Sequence, residues 1–545
     1  MKKVSLAVMA LLLVIVAVLA ACSKEKQDAQ SSASPAPSAS GASPAPAADI
    51  AFPLAAPITL NIFASKNAAV KKDFKEMLAF KNLQQKTNVT VNWRLATAGD
   101  ESNQKQSLLI ASNDLPDAFY GAWVFSEAEI IKYGTEGILI PLEDLIKKHA
   151  PNLQKVFQQR PELEKKLRAP DGHIYTLPMV QEDPHANMPN TMLINKKWLD
   201  NLNLKMPTTI EEFREVLLAF KNGDPNKNGK KDEIPFSFIG KGHHILGFSG
   251  FTGVFGKVVA GPLKNLSVTN GKVEYAPVTE EFKQFLTYMN GLYKDGLIDP
   301  EAFTHDNNVY YAKFRNKERI VGAGFAWSPF GINQVPDADG DYVTLPPMKG
   351  PGGKDPLWYM WEPTHSLGAF AITKVNKYPE ITMKWIDQMY DPLTSYEMAF
   401  GPKDVTFKQT AGGKYESIPV PSGMTANDFL YGEAPGANFV GAVLKEFRSQ
   451  FAVDAATQSK IDAVKITLPY APKEIYPALI MSGEDSNKLT DFNMAVETNQ
   501  ISWIAKFIMN GNIDKEWNDY VKTFQQAGMD QAVALYQKYY DSYKK

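Results

Sequence analysis

The 545-residue chain holds a single cysteine, Cys22. No internal disulfide is available and no thiolate cluster can bind a metal, so an oxidising exterior costs the fold nothing. An excess of charge is missing too: 58 Lys and Arg stand against 60 Asp and Glu, a formal net charge of −2. Nucleic acid requires a basic stripe, and this balance provides none. Beyond the N-terminal stretch no apolar run approaches the roughly 17–25 residues of a membrane span. Short internal repeats are absent, and so are HExxH, GxSxG and P-loop motifs. The seven histidines are scattered, and the adjacent His243 and His244 point differently on any regular element, which suits zinc poorly.

What is present begins at the N-terminus. Lys2 and Lys3 precede the apolar run Val4–Ala21, broken only by Ser5, and small residues lead up to Cys22. A positive start, an apolar stretch and small residues are the anatomy of a secretion signal. The tetrad Leu19-Ala20-Ala21-Cys22 resembles a bacterial lipobox, in which the cysteine is lipid-modified and becomes the first mature residue. Residues 1–21 are therefore expected to be a signal peptide and Cys22 the lipidation site. Removing Lys2 and Lys3 with the signal takes the charge from −2 to −4. One acyl chain binds membranes only marginally, so a stable anchor needs several, palmitate among them. Residues 22–50, rich in Ser, Ala and Pro, cannot bury enough surface to offset their ordering entropy and read as an extended tether.

From about residue 51 some 495 residues remain, enough for two or more sizeable cores. Strand-like runs (ITLNIFAS, VTVNWRLAT, DAFYGAWVF, SLGAFAIT) alternate with helical patterns such as AVKKDFKEMLAFKNLQQKT and TTIEEFREVLLAFKNG. In the latter, Thr208 or Thr209 suits the N-cap, Glu211 and Glu212 the first turn, and Gly223 the end. The alternation predicts α/β domains with mostly parallel sheets. From roughly Thr490 the chain reads as helical, with a stripe of Trp503, Phe507, Trp517, Tyr520 and Phe524 that spacing assigns to packing.

Several stretches taken in order resemble a family 1 extracellular solute-binding protein of a bacterial ABC importer. They are LPDAFYGAW (115–123), DGHIYTLPMVQ (171–181) followed by MLINKKWLDNL (192–202), FRNKERIVGAGFAW (314–327), HSLGAFAITKVNKYPEITMKWIDQMYD (365–391) and the tail from Phe507 to Asp541. The tail is similar to the large Gram-positive, oligosaccharide-type members. The resemblance implies a two-lobed, periplasmic-binding-protein-like clamshell of type II with a C-terminal helical region and the ligand between the lobes. It places the first lobe at 51–176 plus 363–400 and the second at 177–362 plus 401–545. It further implies a monomeric receptor without enzymatic activity, lipid-anchored on the extracellular face of the cell membrane, that hands an oligosaccharide to permease subunits.

Sugars have apolar C–H faces and polar edges, so aromatic planes with carboxylates or amides at the rim can grip them. Tyr120, Trp123, Tyr175, Gln181, Trp327, Trp358, Trp361 and Glu362 stand near strand ends or crossovers and form the candidate ligand set. Residues 224–235 (DPNKNGKKDEIP) carry the sharpest motif of the body. Asp224, Asn226 and Asn228 occupy positions 1, 3 and 5 of an EF-hand-like loop, Gly229 the turning position 6, and Lys230 offers its carbonyl. Pro235 stands where a bidentate Glu is usual, leaving Asp232 and Glu233 to complete the shell. That ending resembles the calcium loop of alginate-binding receptors, and it implies structural Ca2+. Two other functional readings stay open. A lipid-anchored polysaccharide-degrading enzyme needs only two carboxylates about 5–9.5 Å apart, and a surface adhesin or sensor partner would show no ligand-dependent closure.

Overall fold

The structure is a computed structural model that describes residues 50–545 except 183, 184, 186, 241–244, 260–264 and 361–363. Cys22, the signal and the tether lie outside the described residues. Fourteen strands are described: β1 (Ile58–Lys66), β2 (Val89–Thr97), β3 (Ala118–Tyr120), β4 (Leu177–Gln181), β5 (Thr191–Asn195), β6 (Ile234–Phe236), β7 (Leu266–Thr269), β8 (Lys272–Tyr275), β9 (Val321–Ala326), β10 (Tyr342–Thr344), β11 (Thr364–Ile372), β12 (Phe407–Gln409), β13 (Tyr415–Ser417) and β14 (Gly441–Val443). Two sheets organise the molecule. The first has the order β14-β4-β11-β3-β1-β2 and the second β10-β5-β9-β6, while β7-β8 and β12-β13 are separate hairpins.

Both sheets are mixed rather than mostly parallel, and the connectivity explains why. In the first sheet β1 runs parallel to β2 and β3, and β14 parallel to β4, but β11 is antiparallel to both its neighbours. The chain leaves this sheet after β4 and again after β14, and it returns through β11. A strand entering from the far side must run against strands that leave toward that side. The second sheet shows the converse: β5 enters and pairs antiparallel with β9 and β10, while β6 is parallel to β9. The ends of β1, β3, β4 and β14 therefore point at the start of β5 and the ends of β6 and β9.

Each sheet carries its own core. The first is built on β1, whose Leu60, Ile62, Phe63 and Ala64 are all buried, as expected of a central strand covered on both faces. It takes in β4 and also Phe407, Tyr415, Phe439 and Phe451, from segments that the sequence boundaries gave to the second lobe. The second core gathers Trp198, Phe213, Phe220, Phe236, Phe251 and Phe285 with the C-terminal helices Thr490–Asn510, Ile513–Gln526 and Met529–Lys544. Trp503, Phe507, Trp517, Tyr520 and Phe524 pack ring on ring there, as their spacing predicts. The helix Ile210–Asn222 buries Ile210, Phe213, Leu217 and Phe220 along one stripe. Its Thr209 cap accepts from the Glu212 N–H at 3.1 Å, and Gly223 ends it. Among the described residues no helix is long and apolar enough to cross a membrane.

Candidate ligand cleft and calcium loop

The facing strand ends place two tryptophans opposite the other lobe. Trp123 follows β3 with 56% of its surface exposed and a left-handed backbone, φ 58°. A bulky residue there is strained and uncommon. The preceding Gly121 has φ 124°, and a Cβ on it would lie 2.5 Å from the Ser65 carbonyl oxygen, so β3 turns tightly against the end of β1. The Trp123 N–H donates to Ser366 Oγ of β11 at 3.0 Å, which fixes the turn. Beside it the Asn438 amide donates to the Ser65 carbonyl at 3.3 Å, and the Ala122 N–H donates to the Asn438 carbonyl at 3.3 Å. Trp327 follows β9 in the other lobe and is half-buried. Its carbonyl accepts from Thr191 Oγ at 3.0 Å and from Lys460 Nζ at 2.6 Å. Gln181, half-buried, ends β4 on the same facing edge.

Three other expected contacts are core groups. Tyr120 is fully buried, edge-on to Phe74, Phe80 and Trp93, and its hydroxyl accepts from the Val440 N–H at 3.3 Å. Trp358 is fully buried too; its indole N–H donates to the Asn190 carbonyl at 2.7 Å and its ring lies against Gly250. Tyr175 precedes the start of β4, at the end of the sheet away from the second lobe. Its ring packs on Gly134 and its hydroxyl donates to Asp171 at 2.8 Å. In each case an aromatic with one polar handle satisfies that handle locally and buries the rest. Trp361 and Glu362 lie outside the described residues. The groups that organise the edge but carry no local signal are Ser366, Asn438 and Lys460, brought there from 133 to 373 residues away.

The 224–233 loop folds back on itself at the end of the helix Ile210–Asn222. Asp224 accepts from the Asn228 and Gly229 N–H groups, both at 3.0 Å, and Asn228 Oδ1 accepts from Lys230 N–H at 2.8 Å. Gly229 has φ 73°, which supplies the sharp turn. The amides of Asn226 and Asn228 converge on the Asp232 carboxylate at 3.1–3.3 Å, and turning either one over would present its oxygen to the same point. Glu233 directs Oε1 into the interior with no hydrogen-bond partner. Its pKa is raised, first by burial and then by the charges of Asp232 and Asp224. An orphaned buried carboxylate oxygen amid other carboxylates is what a bound divalent cation relieves, so the residues present fit calcium. Glu318, from the loop before β9, adds a carboxylate to the rim; it accepts from the Asn228 amide and from Lys230.

A second group, Asp299, Glu301 and His305, also brings three potential metal ligands together. Lys313 stands among them, 2.9 and 2.7 Å from the two Asp299 oxygens and 2.7 Å from Glu301. The ammonium already supplies the positive charge, and the cluster is an ion-pair network.

The model of the bacterial extracellular solute-binding protein family matches residues 38–392. The fructooligosaccharide ABC transporter substrate-binding protein FusA of Streptococcus pneumoniae is 33% identical over 516 residues, 91% of this chain and 92% of that protein. The structure of FusA in complex with kestose matches at a TM-score of 0.78 and 32% identity, covering 89% of this chain and 99% of that one. A FusA EF-hand mutant in complex with fructo-nystose matches at 0.77 with the same identity and coverage. The alginate-binding protein AlgQ2, solved without calcium ion, shares the fold at a TM-score of 0.70 and 24% identity over 89% of this chain and 98% of that one. The α/β architecture is thus the two-lobed solute-binding fold, and the chain belongs to the bacterial extracellular solute-binding protein family.

Proposed function

We propose that this protein is a lipid-anchored extracellular receptor that binds a short fructooligosaccharide between its lobes and delivers it to an ABC permease. The observation that carries the ligand class is the similarity, over nine-tenths of both chains, to a receptor known in complex with kestose. The topology supports it, because it sets Trp123 and Trp327 on facing edges where two indole planes can take the apolar faces of a sugar. Gln181 offers an amide at the rim, and Trp361 and Glu362, which precede β11 in the sequence, are proposed as further contacts.

Calcium is proposed as a structural ion. Asp224, Asn226, Asn228, Asp232 and Glu233 would hold it through side chains and Lys230 through its carbonyl. Cys22 carries the anchor, and the tether lets the body work as a monomer just outside the membrane. Isothermal calorimetry with kestose and fructo-nystose tests the central reading, followed by analysis of the recovered sugar. Saturable binding with intact sugar is expected. Cleavage would replace the receptor by an enzyme, and no binding by either sugar would remove the proposed ligand class.

A further inference from the structure

Lys460 is a buried cation at the junction between the first crossover and the second sheet. It lies on the helix Ala455–Thr467, which follows the last passage out of the first lobe, and only 3% of its surface is exposed. A lysine usually extends its ammonium to water, and burial is costly unless acceptors take its protons. Here Nζ donates to the Met188 carbonyl and to the Trp327 carbonyl, both at 2.6 Å, and lies 3.4 Å from Thr191 Oγ. Thr191 closes the arrangement by donating to the Trp327 carbonyl. The same ammonium sits 4.5 Å from the Trp327 ring centroid, inside cation–π range.

One charge therefore fixes the Trp327 backbone, covers part of its ring, and ties both to Met188 on the segment that joins the lobes. A methionine could fill the same space, but it could donate to neither carbonyl. We infer that Lys460 is the positioning residue for Trp327. It sets the plane that the indole offers to a sugar, and it ties that plane to Met188 of the first crossover. The inference rests on reading Trp327 as a sugar platform.

A double-mutant cycle separates the two. Kestose affinity is measured by calorimetry for the wild type, Trp327→Ala, Lys460→Met and the double variant, with melts run alongside. Lys460→Met should weaken binding about tenfold in the wild type and less than about twofold once Trp327 is alanine, since a positioning residue has nothing left to position. A full Lys460 penalty in the Trp327→Ala background would overturn the inference and leave the receptor reading intact. Wild-type affinity in Trp327→Ala would overturn the platform reading, and the inference with it.

A sugar-free arm does not depend on the ligand. The Trp327 contribution to emission, taken as wild type minus Trp327→Phe, should become easier to quench with acrylamide in the Lys460→Met background. An unchanged quenching constant would overturn the inference even if kestose is not the ligand. Should Lys460→Met fail to fold, Lys460→Gln, which keeps one donor arm, is read by the same criteria.

Discussion

At the scale of single residues, strain and exposure together mark Trp123. Its left-handed backbone costs on the order of 1 kcal/mol that glycine would avoid, while its ring is largely in solvent. Trp123→Gly and Trp123→Ala should lose kestose affinity alike, roughly tenfold for about 1.4 kcal/mol of lost stacking. The glycine variant should nevertheless melt higher than the alanine one, and calorimetry with thermal melts on the pair checks both halves. A second residue-scale prediction concerns Asp387. Burial pushes its pKa up to about 6, against the lowering effect of the Leu153 and Asn152 N–H groups that it accepts. The folded value exceeds the unfolded one of about 3.9, so the fold holds the proton. The stability this gives is complete below pH ~4 and is lost as pH rises through ~6. Relative to Asp387→Asn, whose amide never ionises, the wild type should therefore lose stability between pH 5 and 7.5, by about 1.4 kcal/mol. Melts at the two pH values measure it.

At the scale of elements, the turn of the 224–233 loop and its preceding helix were largely legible. The helix cap, its acidic first turn and the glycine stop lie within one or two turns of the residues they serve, so local spacing encodes them. The loop oxygens fall within ten residues for the same reason. Glu318 was not legible, because it meets the loop only through the packing of the segment before β9. A structural ion stabilises by mass action, about 2.7 kcal/mol at a hundredfold excess over Kd. Chelation should lower the melting temperature of the wild type, and Asp224→Ala should remove that response. Melts with and without chelator, joined to metal analysis of the purified protein, test it.

At the scale of the whole molecule, the passages between the lobes are where motion must be absorbed, and one arginine joins two of them. Arg160 pairs with Glu182, just past β4, and lies 3.0 Å from Glu446, just past β14. Both pairings favour the charged guanidinium, Glu182 most strongly. Arg160→Gln should lower stability by on the order of 2 kcal/mol, since it leaves Glu182 in a site only 13% exposed. Kestose should close the lobes, which solution scattering would record as a smaller radius of gyration. Cys22→Ala should move the protein from the membrane fraction into the medium or leave an uncleaved precursor; fractionation and mobility like wild type would contradict the anchor.

The sequence by itself determined what short spans can encode: helix caps, an EF-hand-like spacing, and a C-terminal aromatic stripe committed to packing. It also carried the α/β alternation and, through ordered resemblances, the two-lobed fold. It could not separate Trp123 and Trp327 from Tyr120, Tyr175 and Trp358. All five are aromatics near strand ends, and the difference is which end of which sheet each one meets. That was decided when β11 returned antiparallel between β4 and β3 and when the 401–451 stretch closed onto the first core. Strand direction is a property of long-range pairing, so only the tertiary structure could decide which rings face the other lobe and which are buried.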